Sequence, residues 1–140
     1  MSPNLSRYLD RLYATIQSRR ETTVEAFELL DRSVTAGRTS ELFVRLRFWD
    51  GSLLQAEEAL VVQAYAIVKV RYSYHYQAAD GTLILRYDNA PHYPDLAGFP
   101  DHRHDPDRVL PASAPDLSQV LKEIDAHLYP AVGAEPDAAR

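Results

Sequence analysis

Two Asp-Gly pairs, Asp50-Gly51 and Asp80-Gly81, each stand between segments in which apolar and polar residues alternate. The first joins "ELFVRLRFW" to "SLLQAEEALVV", and the second joins "IVKVRYSYHYQ" to "TLILRYDN". Alternation with period two is the pattern of a half-buried strand, and glycine supplies the positive φ of a tight hairpin turn. Two such hairpins in succession predict an antiparallel meander of at least four strands.

The flanks have a different period. Leu5, Tyr8, Leu9, Leu12, Tyr13 and Ile16 recur at spacings of three and four, which predicts a helix over residues 4–19 capped by Asn4 or Ser2. Leu117, Val120, Leu121, Ile124 and Leu128 do the same near the other end, predicting a helix over 116–128 that starts near Asp116 or Ser113. Between the first helix and the meander, "ETTVEAFELLDRSVTAGR" points two ways. Thr22 and Glu25 fit a capping box, whereas the β-branched Thr22, Thr23 and Val24 and the Ala36-Gly37 turn favour a strand. From Asn89 to the last helix the chain is expected to be loop, and residues 129–140 a disordered tail. The whole is an α+β pattern, with residues 1–128 expected to form one domain.

Composition excludes several kinds of chemistry. There are no cysteines among the 140 residues, so disulfides, thiolate metal sites and thiol nucleophiles are out. No apolar run approaches the roughly 18 residues needed to span a bilayer. "MSPNLSRYLD" has no signal-peptide core, so a cytoplasmic protein with no membrane partner is expected. The net charge of −5 argues against a generally basic nucleic-acid binder. Of the 15 cationic residues all but Lys69 and Lys122 are arginine. That bias suits bidentate phosphate contacts, and it is equally what arginine-rich codon usage produces.

A two-residue turn at Asp80-Gly81 would place Ala79 opposite Thr82, His75 opposite Arg86 and Ser73 opposite Asp88. Those polar side chains then share one face, while Tyr72, Tyr74, Tyr76, Leu83, Leu85 and Tyr87 form an aromatic face for the core. His75, Arg86 and Asp88 together offer a base, a cation and an acid, the parts of a small active site. The same three residues also suit a solvated sheet face with cross-strand pairs. Downstream, His92, His102 and His104 include an H-x-H pair. Their spacing matches no metal-site pattern and the segment is proline-rich, so no bound metal and no cofactor are expected.

Taken together, "DGSLLQAEEALVV", "VRYSYHYQAADGTLILRYDNAPHYPDLAGFPDHRH" and "LSQVLKEI" resemble the TumE-type toxins of prokaryotic toxin–antitoxin pairs. That family pattern is a DGS turn, a Y-x-Y-H-[YW] strand, R-[YW]-D-N-A-P-H-H-P, F-P-x-H-x-H and a C-terminal helix, and the resemblance covers roughly residues 40 to 127. The chain departs from it at Tyr93, where the family commonly has a second histidine.

The resemblance implies a cytoplasmic toxin restrained by a cognate antitoxin encoded beside it. It also tips the segment from Thr23 to Val34 toward a first strand. The expected order is helix, a meander of about five strands, helix, with Leu5, Leu9, Leu12, Leu117, Leu121 and Ile124 packed on the aromatic face. His75, Arg86, Asp88, His92, His102 and His104 are expected to converge in one cleft as catalytic residues, where the loop after the last strand folds back over the polar face. His127 lies outside it. Two functions fit: a metal-independent ribonuclease, for which RNA brings its own 2′-hydroxyl nucleophile, or a non-catalytic module that occupies a protein or nucleic-acid target through the histidine-rich segment.

Overall fold

A computed structural model describes residues 2–34 and 37–130 of the chain. Helix α1 (Pro3–Gln17) is followed by strands β1 (Thr22–Val34), β2 (Gly37–Phe48), β3 (Leu53–Gln63), β4 (Ala66–Gln77), β5 (Leu83–Asp88), β6 (His102–Asp105) and β7 (Arg108–Pro111), and then by helix α2 (Leu117–Leu128). The strands form one sheet in sequence order, each antiparallel to the next. The class is α+β as expected, and the segment that pointed two ways is the first strand. The strand count is seven rather than about five. The expected tail lies, from residue 131 onward, outside the described residues, while Tyr129 closes α2 as its C-cap.

Strands β6 and β7 were expected to be loop. Each is only four residues long, and neither "HRHD" nor "RVLP" carries an apolar alternation. Their pairing comes from the turn: Asp105 pairs with Arg108, leaving Pro106-Asp107 as a two-residue connection. Proline pre-sets the φ of a turn's first central position.

Both Asp-Gly hairpins have three-residue loops, not the two-residue turn expected at Asp80-Gly81. Phe48 N–H donates to Ser52 O at 2.9 Å across Trp49–Gly51, and Ala78 N–H donates to Thr82 O at 2.8 Å across Ala79–Gly81. Each loop ends in a glycine in the left-handed region, Gly51 at φ +84° and Gly81 at φ +90°. A loop of that length shifts the register by one. The shift is undone at once by a bulge: Gln77 pairs with Leu83 but Tyr76 pairs with Leu85, and Ile84 between them packs against the core. Beyond the bulge His75 faces Arg86 and Ser73 faces Asp88, the pairing expected from the wrong turn.

Tyr72, Tyr74, Tyr76 and Leu85 are buried beneath the two helices, with Leu5, Ile16, Leu117, Val120, Leu121 and Ile124 packed on them, and Leu9 and Leu12 partly buried at the edge. Within this apolar layer lies a carboxylate, Glu58, only 3% exposed. The hydroxyls of Tyr8 on α1 and Tyr74 on β4 donate to it. Lys69 Nζ stands 3.8 Å away and donates to Tyr74 Oη at 2.6 Å and to Pro115 O, just before α2, at 2.7 Å. A bulge at Val70, between the Leu60–Lys69 and Ala59–Arg71 pairs, brings Lys69 to this side of the sheet. Arg19, past the end of α1, donates to Asp125 of α2 at 3.0 Å. Both helices therefore cover one face, and the opposite face of the sheet is open.

The two turn glycines differ in their surroundings. A Cβ at Gly51 would lie 2.9 Å from Ala79 Cβ in the neighbouring turn, whereas nothing lies within 4 Å at Gly81. Gly81→Ala should cost about 1 kcal/mol, the left-handed backbone penalty alone. Gly51→Ala should cost about 2 kcal/mol or more, because overpacking adds to it. Urea denaturation of the two variants measures the difference.

Candidate functional site

Five of the six expected site residues meet on the open face, and backbone pairing brings them there. Strand β6 adds to the edge of β5, pairing Asp88 with His102 and Arg86 with His104, while His75 faces Arg86 from β4. Residues two apart on a strand share a face, so Arg86, Asp88, His102 and His104 form a block of four side chains, bordered by His75. The histidines of the H-x-H pair are thus strand residues, not members of a loop folded back over the sheet. What crosses from β5 to β6 is the segment of residues 89–101, which carries His92, exposed at the rim.

Asp88 is the centre. It is 4% exposed, and its carboxylate accepts from Arg86 Nε at 2.9 Å and from Ala90 N–H at 3.0 Å. His102 Nε2 lies 3.0 Å from Asp88 Oδ1, and His104 Nε2 lies 3.5 Å from Oδ2. The two histidine Nε2 atoms are 3.1 Å apart. Burial pushes the Asp88 pKa up, but the Arg86 and Ala90 hydrogen bonds and the charges of His102 and Arg86 outweigh it, and the carboxyl stays below its ordinary value. His102, 1% exposed, has its Nδ1 at 2.8 Å from Pro100 O. A carbonyl only accepts, so Nδ1 carries the proton and Nε2 is the atom turned on Asp88 and His104.

His75 is held differently. Its Nδ1 is 3.3 Å from Arg86 Nη1 and its Nε2 is 3.1 Å from Gln77 Oε1. Burial lowers its pKa, the Gln77 hydrogen bond opposes this, and Arg86 adds to the lowering, so the ring is neutral at neutral pH. Arg86 itself is half-exposed, with a side chain 37% accessible. It opens on a groove of about 540 Å³ along the uncovered face, bordered by Glu28, Glu41, Glu57, Arg71, Arg86 and Asp88. Arg71 donates to Glu41 at 2.9 Å.

The sequence pointed to no bound metal because the histidines look loosely spaced along the chain. Strand pairing overrides that spacing: Asp88, His102 and His104 each offer a ligand atom within 4.8 Å of the others. Two contributors were not among the expected site residues. Tyr93 places its ring 5.0 Å from the His102 ring and 5.8 Å from the His104 ring. Asn89 replaces a missing ladder contact: its Oδ1 accepts from Tyr72 N–H at 3.0 Å and its Nδ2 donates to Val70 O at 3.2 Å. The period-two spacing of His102 and His104 beside a D-P-D turn was the available signal for β6.

The arrangement meets the pattern of one family. The model of the toxin TumE family matches residues 12–128. The chain belongs to the TumE toxin family. No curated protein and no solved structure matches it. The F-P-x-H-x-H stretch of the TumE pattern is Phe99–His104 here, and it ends in the β6 strand that completes the site. The position of the family's second histidine, Tyr93, lies against both β6 imidazoles, so the departure falls at the site itself. No helix among the described residues is long and apolar enough to cross a membrane.

Asn89 generates a prediction. Asn89→Ala removes an acceptor and a donor from backbone groups of β4 and should cost about 1–2 kcal/mol. Hydrogen exchange at the Tyr72 amide should speed up with it, which NMR can read directly.

Proposed function

We propose that this TumE-family chain is the toxin of a toxin–antitoxin pair, acts in the cytoplasm under restraint by an antitoxin encoded nearby, and cleaves RNA at the Asp88-centred cluster. The observation that carries the reading is the convergence of Arg86, Asp88, His75, His102 and His104 on three adjacent strands. Phosphodiester cleavage through the 2′-hydroxyl needs a proton acceptor, a proton donor and a phosphate clamp. Neutral His75 accepts the 2′-hydroxyl proton at Nδ1, the nitrogen that Arg86 vacates on turning to the phosphate, as that oxygen attacks phosphorus. The bond from phosphorus to the 5′-oxygen breaks, and a second histidine returns a proton to that oxygen. Arg86, half-exposed beside the groove, clamps a phosphate oxygen. His92, exposed at the rim, lies close enough to lower the His104 pKa. The products are a 2′,3′-cyclic phosphate and a 5′-hydroxyl.

Induced expression with and without the neighbouring gene tests the toxin, and mutation tests the cluster. His92→Ala and His104→Ala should abolish growth arrest while circular dichroism and antitoxin binding persist. His127→Ala, at a helix position whose ring meets Tyr76 on the core side, should leave toxicity intact. Purified protein should leave an RNA uncut where a 2′-deoxynucleotide replaces the nucleotide 5′ to the scissile bond. If the histidine variants stay toxic, the chain acts by occupying its target and the non-catalytic module takes the place of the ribonuclease.

A further inference from the structure

The buried end of the cluster poses a problem that hydrogen bonding alone does not solve. His102 spends its only neutral-form proton on Pro100 O, leaving a bare Nε2 lone pair 3.0 Å from a carboxylate oxygen and 3.1 Å from His104 Nε2. Asp88 Oδ2 is 3.5 Å from His104 Nε2. A proton on His104 Nε2 can serve either of the two contacts that His104 makes, but the contact between the His102 lone pair and Asp88 Oδ1 still joins two electron-rich atoms. One further proton on His102 Nε2 satisfies that contact. A cation at the centre satisfies all three contacts.

The distances fit such an ion. Ligand atoms at about 2.0–2.2 Å from a tetrahedral metal stand roughly 3.3–3.6 Å from one another; the two imidazole nitrogens here are 3.1 Å apart, and Asp88 faces them through its two oxygens, Oδ1 at 3.0 Å and Oδ2 at 3.5 Å. The outer shell is also in place. Pro100 O fixes the His102 tautomer, and Arg86 and Ala90 N–H orient the carboxylate, the kind of support that metal-bound histidine and aspartate require. Two imidazoles and one carboxylate leave at least one position for water or substrate, as in catalytic rather than structural sites. Imidazole nitrogen selects first-row transition ions over magnesium and calcium, which prefer oxygen.

Charge gives the ion a purpose. Within the cluster the charges of Arg86 and Asp88 cancel, the groove beside it is bordered by Glu28, Glu41 and Glu57 with Arg71 paired to Glu41, and the chain carries −5 overall. A polyanion is drawn by cationic surface, and a divalent ion supplies it where Arg86 alone does not. We propose that Asp88, His102 and His104 bind one divalent first-row transition-metal ion of the zinc type, which holds the substrate phosphate beside Arg86. Its role toward phosphate rests on the ribonuclease reading above and replaces the metal-independent chemistry expected from sequence; binding of the ion does not depend on it.

The test uses tag-free, chelator-stripped full-length protein titrated with Zn²⁺ and with Co²⁺, followed by calorimetry and by the visible absorption of Co²⁺. One ion per chain is expected, undisturbed by excess Mg²⁺. His104→Ala should weaken binding by more than about 100-fold, above the usual loss for an outer-shell partner, with circular dichroism unchanged. His102→Gln should do the same; because His102 is buried, His104→Ala decides if that variant fails to fold. His75→Ala should bind the ion normally yet cut RNA poorly. Absence of binding, or equal binding by His104→Ala, overturns the proposal. Metal bound as expected but RNA left uncut upholds the site and sinks the ribonuclease. RNA cut at full rate by stripped protein that binds no ion does the reverse.

Discussion

The burial of Glu58 is the constraint on which the fold turns. A carboxylate under two helices costs several kcal/mol unless its oxygens are satisfied. Here the partners come from two elements, Tyr8 on α1 and Tyr74 with Lys69 on β4, and Lys69 also ties down Pro115 just before α2. The ion pair and the hydroxyls are met only when α1, β3, β4 and the start of α2 are all in place. Burial raises the Tyr8 and Tyr74 pKa values, and Glu58 raises them further, so both hydroxyls remain protonated donors. Burial lowers the Lys69 pKa, which Glu58 partly restores. Leucine packing would allow either helix to slide; this network sets where it stops.

Asp88 is the second buried carboxylate, on the other face, and the contrast between the two is informative. Glu58 accepts from two hydroxyls and faces an ammonium 3.8 Å away. Asp88 is met by donors from Arg86 and Ala90 on one side and by the imidazole nitrogens of His102 and His104 on the other. A group buried only for stability does not need ligand atoms as neighbours. The helix face therefore holds the fold and the open face holds the Asp88 cluster, and the strands between them belong to both.

Much of the fold was legible because strand period and helix period are read from few residues. The tyrosines of β4 and the leucines of both helices announced the core. The Asp-Gly turns announced hairpins, yet not their length: a glycine in the left-handed region ends a three-residue loop as readily as it fills a two-residue one. The His75–Arg86 and Ser73–Asp88 pairs came out as expected only because the Ile84 bulge cancels the extra loop residue, which no local pattern signals. The first strand needed the family resemblance, since its own residues also fit a helix start. Strands β6 and β7 were illegible for a different reason. They are short and polar, and edge pairing is decided by a partner strand rather than by a hydrophobic stripe.

That last failure bears on how the site is built. Had His102 and His104 sat on a loop, their positions would depend on the 89–101 connection and its prolines. They sit instead on a strand, where the β5–β6 ladder sets Asp88 against His102 and Arg86 against His104. The connection is left to govern access, with Tyr93 against both imidazoles and His92 outside them. Geometry and access are thus assigned to different parts of the chain. A substitution at position 93 changes what borders the imidazoles without moving the ladder that aligns them, so tyrosine in place of the family's histidine leaves the Asp88–His102–His104 arrangement standing.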